Sequence, residues 1–116
     1  MKKIFESFGC ALHGVTQFVA SERHARIHLA AAIAAIALGF WLGITSLEWT
    51  AIVLCIGFVL SAEAMNTAIE ALADAVHPEK HPLIKKAKDV AAGAVLLAAI
   101  TAATVGAIVF VPKLIP

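Results

Sequence analysis

The chain has 116 residues, of which 61% are hydrophobic and 15% charged, with a net charge of +1 and a mean hydropathy of +0.92. Water-soluble domains carry about 25% charged and about 45–50% apolar residues, and disorder needs low hydrophobicity with high net charge, so both classes are excluded. A nucleic-acid binder resting on bulk positive charge is excluded too, which leaves a single small integral membrane domain over residues 1–116.

In chain order, the first element is amphipathic. Ile4, Phe5, Phe8, Leu12, Val15 and Val19 recur at intervals of three and four, with Lys2, Glu6, His13 and Gln17 mostly on the other side. This spacing predicts a surface helix over about 3–26, lying in the headgroup plane. Glu6, His13 and Gln17 interrupt the apolar core that a signal peptide needs, and no clear cleavage site follows.

Three membrane spans are predicted next, over about 28–47, 49–76 and 86–111. Leu29 to Leu47 and Val90 to Val111 are uncharged, and each supplies the about 20 residues that cross a hydrocarbon core of about 30 Å. The second span is uncharged from Trp49 to Ala62 and then admits carboxylates into its inner half. Lys2, Lys3, Arg23 and Arg26 precede the first span, and Lys80, Lys85, Lys86 and Lys88 lie between the second and third. Lys113 stands alone at the far end. This asymmetry predicts a multi-pass protein of the plasma membrane with its N-terminus and second loop in the cytoplasm. Trp41 and Trp49 then mark the outer interface. Cys10 and Cys55 show no metal spacing and no disulfide framework, and read as packing residues.

The second span carries the chemistry. At 100° per residue Glu63, Asn66, Thr67, Glu70 and Asp74 share an arc of about 100°, with Met65, Ala68 and Leu72 opposite. A charged group at mid-membrane costs about 2.5–3.5 kcal/mol on insertion scales, so aligned carboxylates need a compensating partner. With Trp49 at the outer interface, the inner boundary falls near Ile69, and Glu63 lies about 9 Å inside it. The stripe thus links lipid-tail depth to water, a path on which a lipid headgroup meets a soluble reagent. A helix-joining seam accounts for Asn66 and Thr67 alone, and water accounts for Asp74. Neither explains Glu63 together with Glu70.

Glu22, where the surface helix meets the first span, and Asp89, at the start of the third, are the other acids near this layer. Two separated carboxylates with phosphate oxygens suit Mg²⁺, and Glu22 and Glu70 are the candidates. Lys88 can meet a phosphate as a point charge. Glu22 can instead pair with Arg26 at i+4. His24 and His28 are also i,i+4 but lack two further ligands for zinc. Neither GxxxxGK[ST] nor a GxGxxG after a strand is present.

The run from Glu63 through Asn66, Thr67 and Glu70 to Asp74, followed by Lys86-Ala-Lys88-Asp89-Val-Ala-Ala-Gly93, resembles the prokaryotic diacylglycerol kinase family. Ser21-Glu22-Arg23-His24-Ala25-Arg26-Ile27-His28 is similar to a further motif of that family, and the likeness covers nearly the whole chain. Arg26-Ile-His28 and His81-Pro-Leu-Ile-Lys-Lys86 resemble its Gram-positive branch, many of whose members phosphorylate undecaprenol. The resemblance implies a homotrimer of three-span subunits with a surface helix and active sites shared between subunits. It implies Glu63 as catalytic base, Glu22 and Glu70 as Mg²⁺-associated carboxylates, and ATP contacts at Glu22, Asn66, Glu70, Glu79, Lys80, His81, Lys88 and Asp89. It further implies that Glu63, His24, His28 and Ala92 meet the lipid substrate. Cys10 and His24 depart from the pattern, where relatives often place an aromatic residue and an Asn.

The function expected is therefore ATP-dependent phosphorylation of the primary hydroxyl of a membrane lipid alcohol, undecaprenol ahead of diacylglycerol. A small trimeric channel or proton carrier using the acidic stripe is the rival of another class. The confinement of the stripe to the inner half of one span argues against it.

Overall fold

The computed structural model describes residues 1–115 and is all-helical: α1 (Lys2–Ser21), α2 (Arg23–Leu42), α3 (Ser46–Val76) and α4 (Pro82–Leu114). Helices α2, α3 and α4 are long and apolar enough to cross a membrane. At 31 and 33 residues, α3 and α4 measure about 46 and 50 Å, well beyond a hydrocarbon core of about 30 Å. Both therefore carry extra turns beyond the apolar layer.

Each boundary has a local cause. The first helix breaks at Glu22, which is extended (φ −108°, ψ 120°), ahead of the bound expected near residue 26. Arg26 stabilises this break, since its Nη1 donates to the carbonyls of Ala20 (2.8 Å) and Val19 (3.3 Å). These are among the last carbonyls of α1, which have no helical partner of their own. The guanidinium is thus spent on backbone, not on Glu22. Gly43 ends α2 in the left-handed region (φ 62°), where glycine costs least. The Ile44 amide then closes back on the Gly39 carbonyl (3.2 Å), in the manner of a Schellman cap.

Thr45 and Glu48 open α3 with a reciprocal capping box, at 3.2 and 2.9 Å. The N-cap of α4 is His81, whose Nδ1 accepts from the Leu83 amide (3.1 Å), and Pro82 follows at the first turn. This third span begins four residues ahead of the expected position and runs past Pro112. A proline so close to the C-terminus removes only a bond of the final turns.

The antiparallel pair α3–α4 forms the body of the subunit, with α2 laid against it and α1 touching only α2 and α3. The apolar core lies at the end where α2 turns into α3, where Ile44, Ile52, Val109 and Phe110 are buried against Leu38, Leu42, Trp49, Ile56 and Val105. Lys113 Nζ and Glu48 Oε1 join α4 to α3 there at 3.2 Å. Elsewhere the large apolar side chains face outward: Phe40 and Trp41 are each 75% exposed, and Ile108 is 68% exposed. Cys55 is half-buried, as expected of a packing residue, whereas Cys10 is exposed on α1. Packing does not explain Cys10 within one chain, because α1 has no covered face at that turn.

Candidate active site

Where the C-terminal half of α3 approaches the first turns of α2 and α4, the usual exposure pattern is inverted. Among the described residues, the buried polar side chains are Glu63 and Asn66, at 2% and 9% exposure. Both point inward because the 100° arc of the stripe coincides with the side of α3 that α2 and α4 cover. Met65 and Leu72, on the opposite arc, are exposed.

Two imidazoles meet Glu63. His28 Nε2 lies 3.3 Å from its Oε2, and His24 Nδ1 lies 3.9 Å from its Oε1. The i,i+4 spacing thus brings two imidazoles beside one carboxylate from successive turns of α2. One turn along, Asn66 Nδ2 donates to Glu70 Oε1 (3.3 Å). Asn66 Oδ1 is buried and has no partner. A buried acceptor without a donor costs about 1–3 kcal/mol.

Glu70 and Glu22 are both half-buried, with Glu22 at the α1–α2 break. Among the described residues no three His, Cys, Asp or Glu side chains converge on a metal position within one chain. Mg²⁺ does not require that, since one or two carboxylates with phosphate oxygens suffice. The orphaned Asn66 oxygen beside Glu70 fits such a hard cation or its hydration shell.

The remaining predicted residues lie further towards the aqueous end. Lys88 Nζ binds Asp74 Oδ1 at 2.5 Å, tying α4 to α3. Lys85 holds Asp89 at 2.6 Å, so Asp89 is turned along its own helix and away from the stripe. Glu79, Lys80 and His81 are exposed in the α3–α4 loop, and Ala92 is exposed on α4. The loop borders a basin of about 580 Å³ whose wall includes Lys85 and Lys88. His77 lines it too. Its Nδ1 lies 2.9 Å from the Glu79 carbonyl, and its ring meets His81 edge-on at 5.1 Å.

The chain is similar to known proteins over most of its length. Residues 9–110 match the prokaryotic diacylglycerol kinase family. An undecaprenol kinase of Bacillus subtilis is 40% identical over 98% of this chain and 93% of its own length. A diacylglycerol kinase of Synechocystis is 39% identical over 94% of this chain, which spans 63% of that protein. The diacylglycerol kinase of Escherichia coli K12 is 29% identical over 86% of this chain and 82% of its own. With so much of the chain matched by the family and by these relatives, the chain belongs to the prokaryotic diacylglycerol kinase family.

Proposed function

We propose that the chain is an ATP-dependent lipid kinase that phosphorylates the primary hydroxyl of undecaprenol, with diacylglycerol as the second acceptor. The observation that carries this reading is Glu63, a carboxylate 2% exposed within an apolar span and flanked by two imidazoles. A purely structural acid has no reason to be there. Phosphoryl transfer needs positioning and neutralisation of charge more than covalent chemistry, and a buried general base is the one reactive group it asks for.

In this reading Glu63 accepts the proton of the lipid hydroxyl as that oxygen attacks the γ-phosphate of ATP. His28 and His24 orient its carboxylate toward the acceptor. Glu22 and Glu70 would hold Mg²⁺, which when bound neutralises triphosphate charge. Asn66 lends its free Oδ1 to the same cluster. Lys88, Asp89 and the Glu79-Lys80-His81 loop, beside the basin, would receive the nucleotide. Ala92, small and exposed on α4, leaves room beside the lipid.

The cluster lies at the ends of the spans that the Lys and Arg count assigns to the cytoplasm, the side on which ATP is available. In that orientation α1 rests in the inner headgroup layer, its apolar stripe in the lipid. A homotrimer with shared sites completes the active centre. A channel or proton carrier is disfavoured because α2 has no acidic residue and α4 has only Asp89, near its start.

Glu63→Gln keeps the shape of the side chain and removes the base. Phosphate transfer from MgATP to undecaprenol should fall by about 10²–10⁴-fold, with assembly in detergent unchanged. Turnover near the wild-type level would reassign the base.

A further inference from the structure

The start of α4 depends on the protonation of one ring. His81 caps the helix through Nδ1, which accepts from the Leu83 amide at 3.1 Å. An amide only donates, so this nitrogen carries no proton and the ring is neutral, with its hydrogen on Nε2. At the end of α3, His77 Nδ1 lies 2.9 Å from the Glu79 carbonyl. A carbonyl only accepts, so here Nδ1 holds the hydrogen, and that bond survives in either charge state of the ring. The two imidazoles meet edge-on at 5.1 Å, yet only His81 loses its bond on taking up a proton.

The surroundings sharpen this difference. Beside His81, the basin wall carries His77, Glu79, Lys80, Lys85 and Lys88, and neither α1 nor α2 contributes to it. Asp89 and Asp74 hold Lys85 and Lys88. Glu79 turns its carboxylate toward His77, with Oε2 3.8 Å from Nδ1. A proton on His81 thus meets a helix N-terminus, which disfavours positive charge, and it removes the cap. Histidine is the side chain whose unperturbed charge change falls between about pH 5 and 8. Because the bond needs the neutral ring, its contribution is present above the ring's titration and is lost as pH falls through it.

We propose that His81 is a proton-operated latch on the α3–α4 loop. Neutral, it caps α4 and fixes the loop at the rim of the basin. Protonated, it frees the loop and the first turn of α4, whose Lys85 amide is bonded to the His81 carbonyl at 2.9 Å. The consequence for activity rests on the lipid-kinase reading, in which this loop receives ATP: mild acidification weakens nucleotide binding. The latch itself stands apart from that reading.

His81→Asn keeps a capping oxygen that does not titrate, and His81→Ser serves in its place if that protein fails to fold. The full chain in detergent is compared with the variant at about pH 8 and about pH 5.5. Amide hydrogen exchange at Leu83 reads the cap bond directly. The ratio of wild-type to variant exchange should rise about fivefold on acidification, as loss of a cap worth about 1 kcal/mol requires. The intrinsic pH dependence of exchange is common to both proteins and cancels. The KM for MgATP, in transfer to undecaprenol, should rise by a similar factor relative to the variant. His77→Asn should keep the response.

A Leu83 exchange ratio that ignores pH overturns the latch, and a response abolished by His77→Asn overturns its assignment to His81. A relative KM that stays level or falls on acidification overturns the coupling to the nucleotide; a fall would make the charged ring a cation that serves ATP. Failure of the kinase reading looks different: the unmodified protein would transfer phosphate to neither undecaprenol nor diacylglycerol at about pH 8, while Leu83 exchange still responded.

Discussion

Asn66 and Glu63 are buried side by side on α3 but differ in how they are satisfied. Glu63 has two imidazole neighbours, whereas Asn66 leaves Oδ1 without a donor. An unpaired buried acceptor weakens a fold by about 1–3 kcal/mol, so Asn66 is poor glue and a good receptor. Asn66→Leu should therefore leave the thermal unfolding temperature in detergent unchanged or higher, while lowering ATP-dependent turnover about tenfold or more. A drop in stability with turnover intact would return Asn66 to a joining role. Lys88 poses a related question, because Asp74 already holds it. Exposed pairs are worth about 0–1 kcal/mol, and this pair is substantially exposed on both sides, so a phosphate displaces Asp74 at little cost. Lys88→Ala should raise the KM for ATP, whereas Asp74→Asn should leave it unchanged or lower it; an equal rise in both would mean that the pair acts only as a clasp. The 100° arithmetic on one helix placed Glu63, Asn66, Glu70 and Asp74 on one face. It could not find the neighbours of Glu63 and Asp74, because His24, His28 and Lys88 reach α3 from other helices whose register depends on packing.

At the level of elements, hydropathy made three long apolar helices legible, and turn chemistry made some of their ends so. Pro82 and the loop before it bracket the start of α4, and Gly43 stands where α2 stops. The α1–α2 break was misplaced because no glycine or proline marks it, and its stabilisation comes from an Arg26 side chain reaching back to Val19 and Ala20. The α2–α3 crossing was equally hidden. A Cβ on Gly39 would come within 2.8 Å of the Trp49 ring and 3.1 Å of Ile44, and Trp49 is itself packed against Phe40 with ring centroids 4.8 Å apart. The indole has little room to move, so glycine permits the close approach of the two helices. Gly39→Ala should cost about 1–3 kcal/mol, as overpacking of a tight core does. The measurement is unfolding in detergent. Because this core, at the α2–α3 turn, is remote from Glu63, KM values for the molecules that stay folded should not change, and a selective loss of substrate affinity would contradict this division between the two ends.

The whole subunit is a thin slab, 54 × 42 × 20 Å, with a radius of gyration of 17.2 Å. A compact chain of this length has a radius of gyration of about 13 Å, so one copy leaves most of its helical surface uncovered. Lipid can cover the apolar part of that surface, but it does not complete the acidic site. Eleven residues separate Glu63 from Asp74, about 16 Å along α3, and Lys88 is held at the Asp74 end. The base and the lysine of one chain therefore stand too far apart to touch the same phosphoryl group. A trimer resolves this if the lysine serving each Glu63 comes from the neighbouring subunit. Two impaired proteins then become a test: Glu63→Gln and Lys88→Ala subunits, co-expressed and purified as mixed assemblies, should at ATP concentrations below the KM of the Lys88→Ala protein transfer phosphate to undecaprenol well above either parent. Each mixed assembly would contain a site with an intact base facing an intact lysine. Mixed assemblies no more active than their parents would place both groups on one chain, and would require α4 to slide along α3 before ATP could be used.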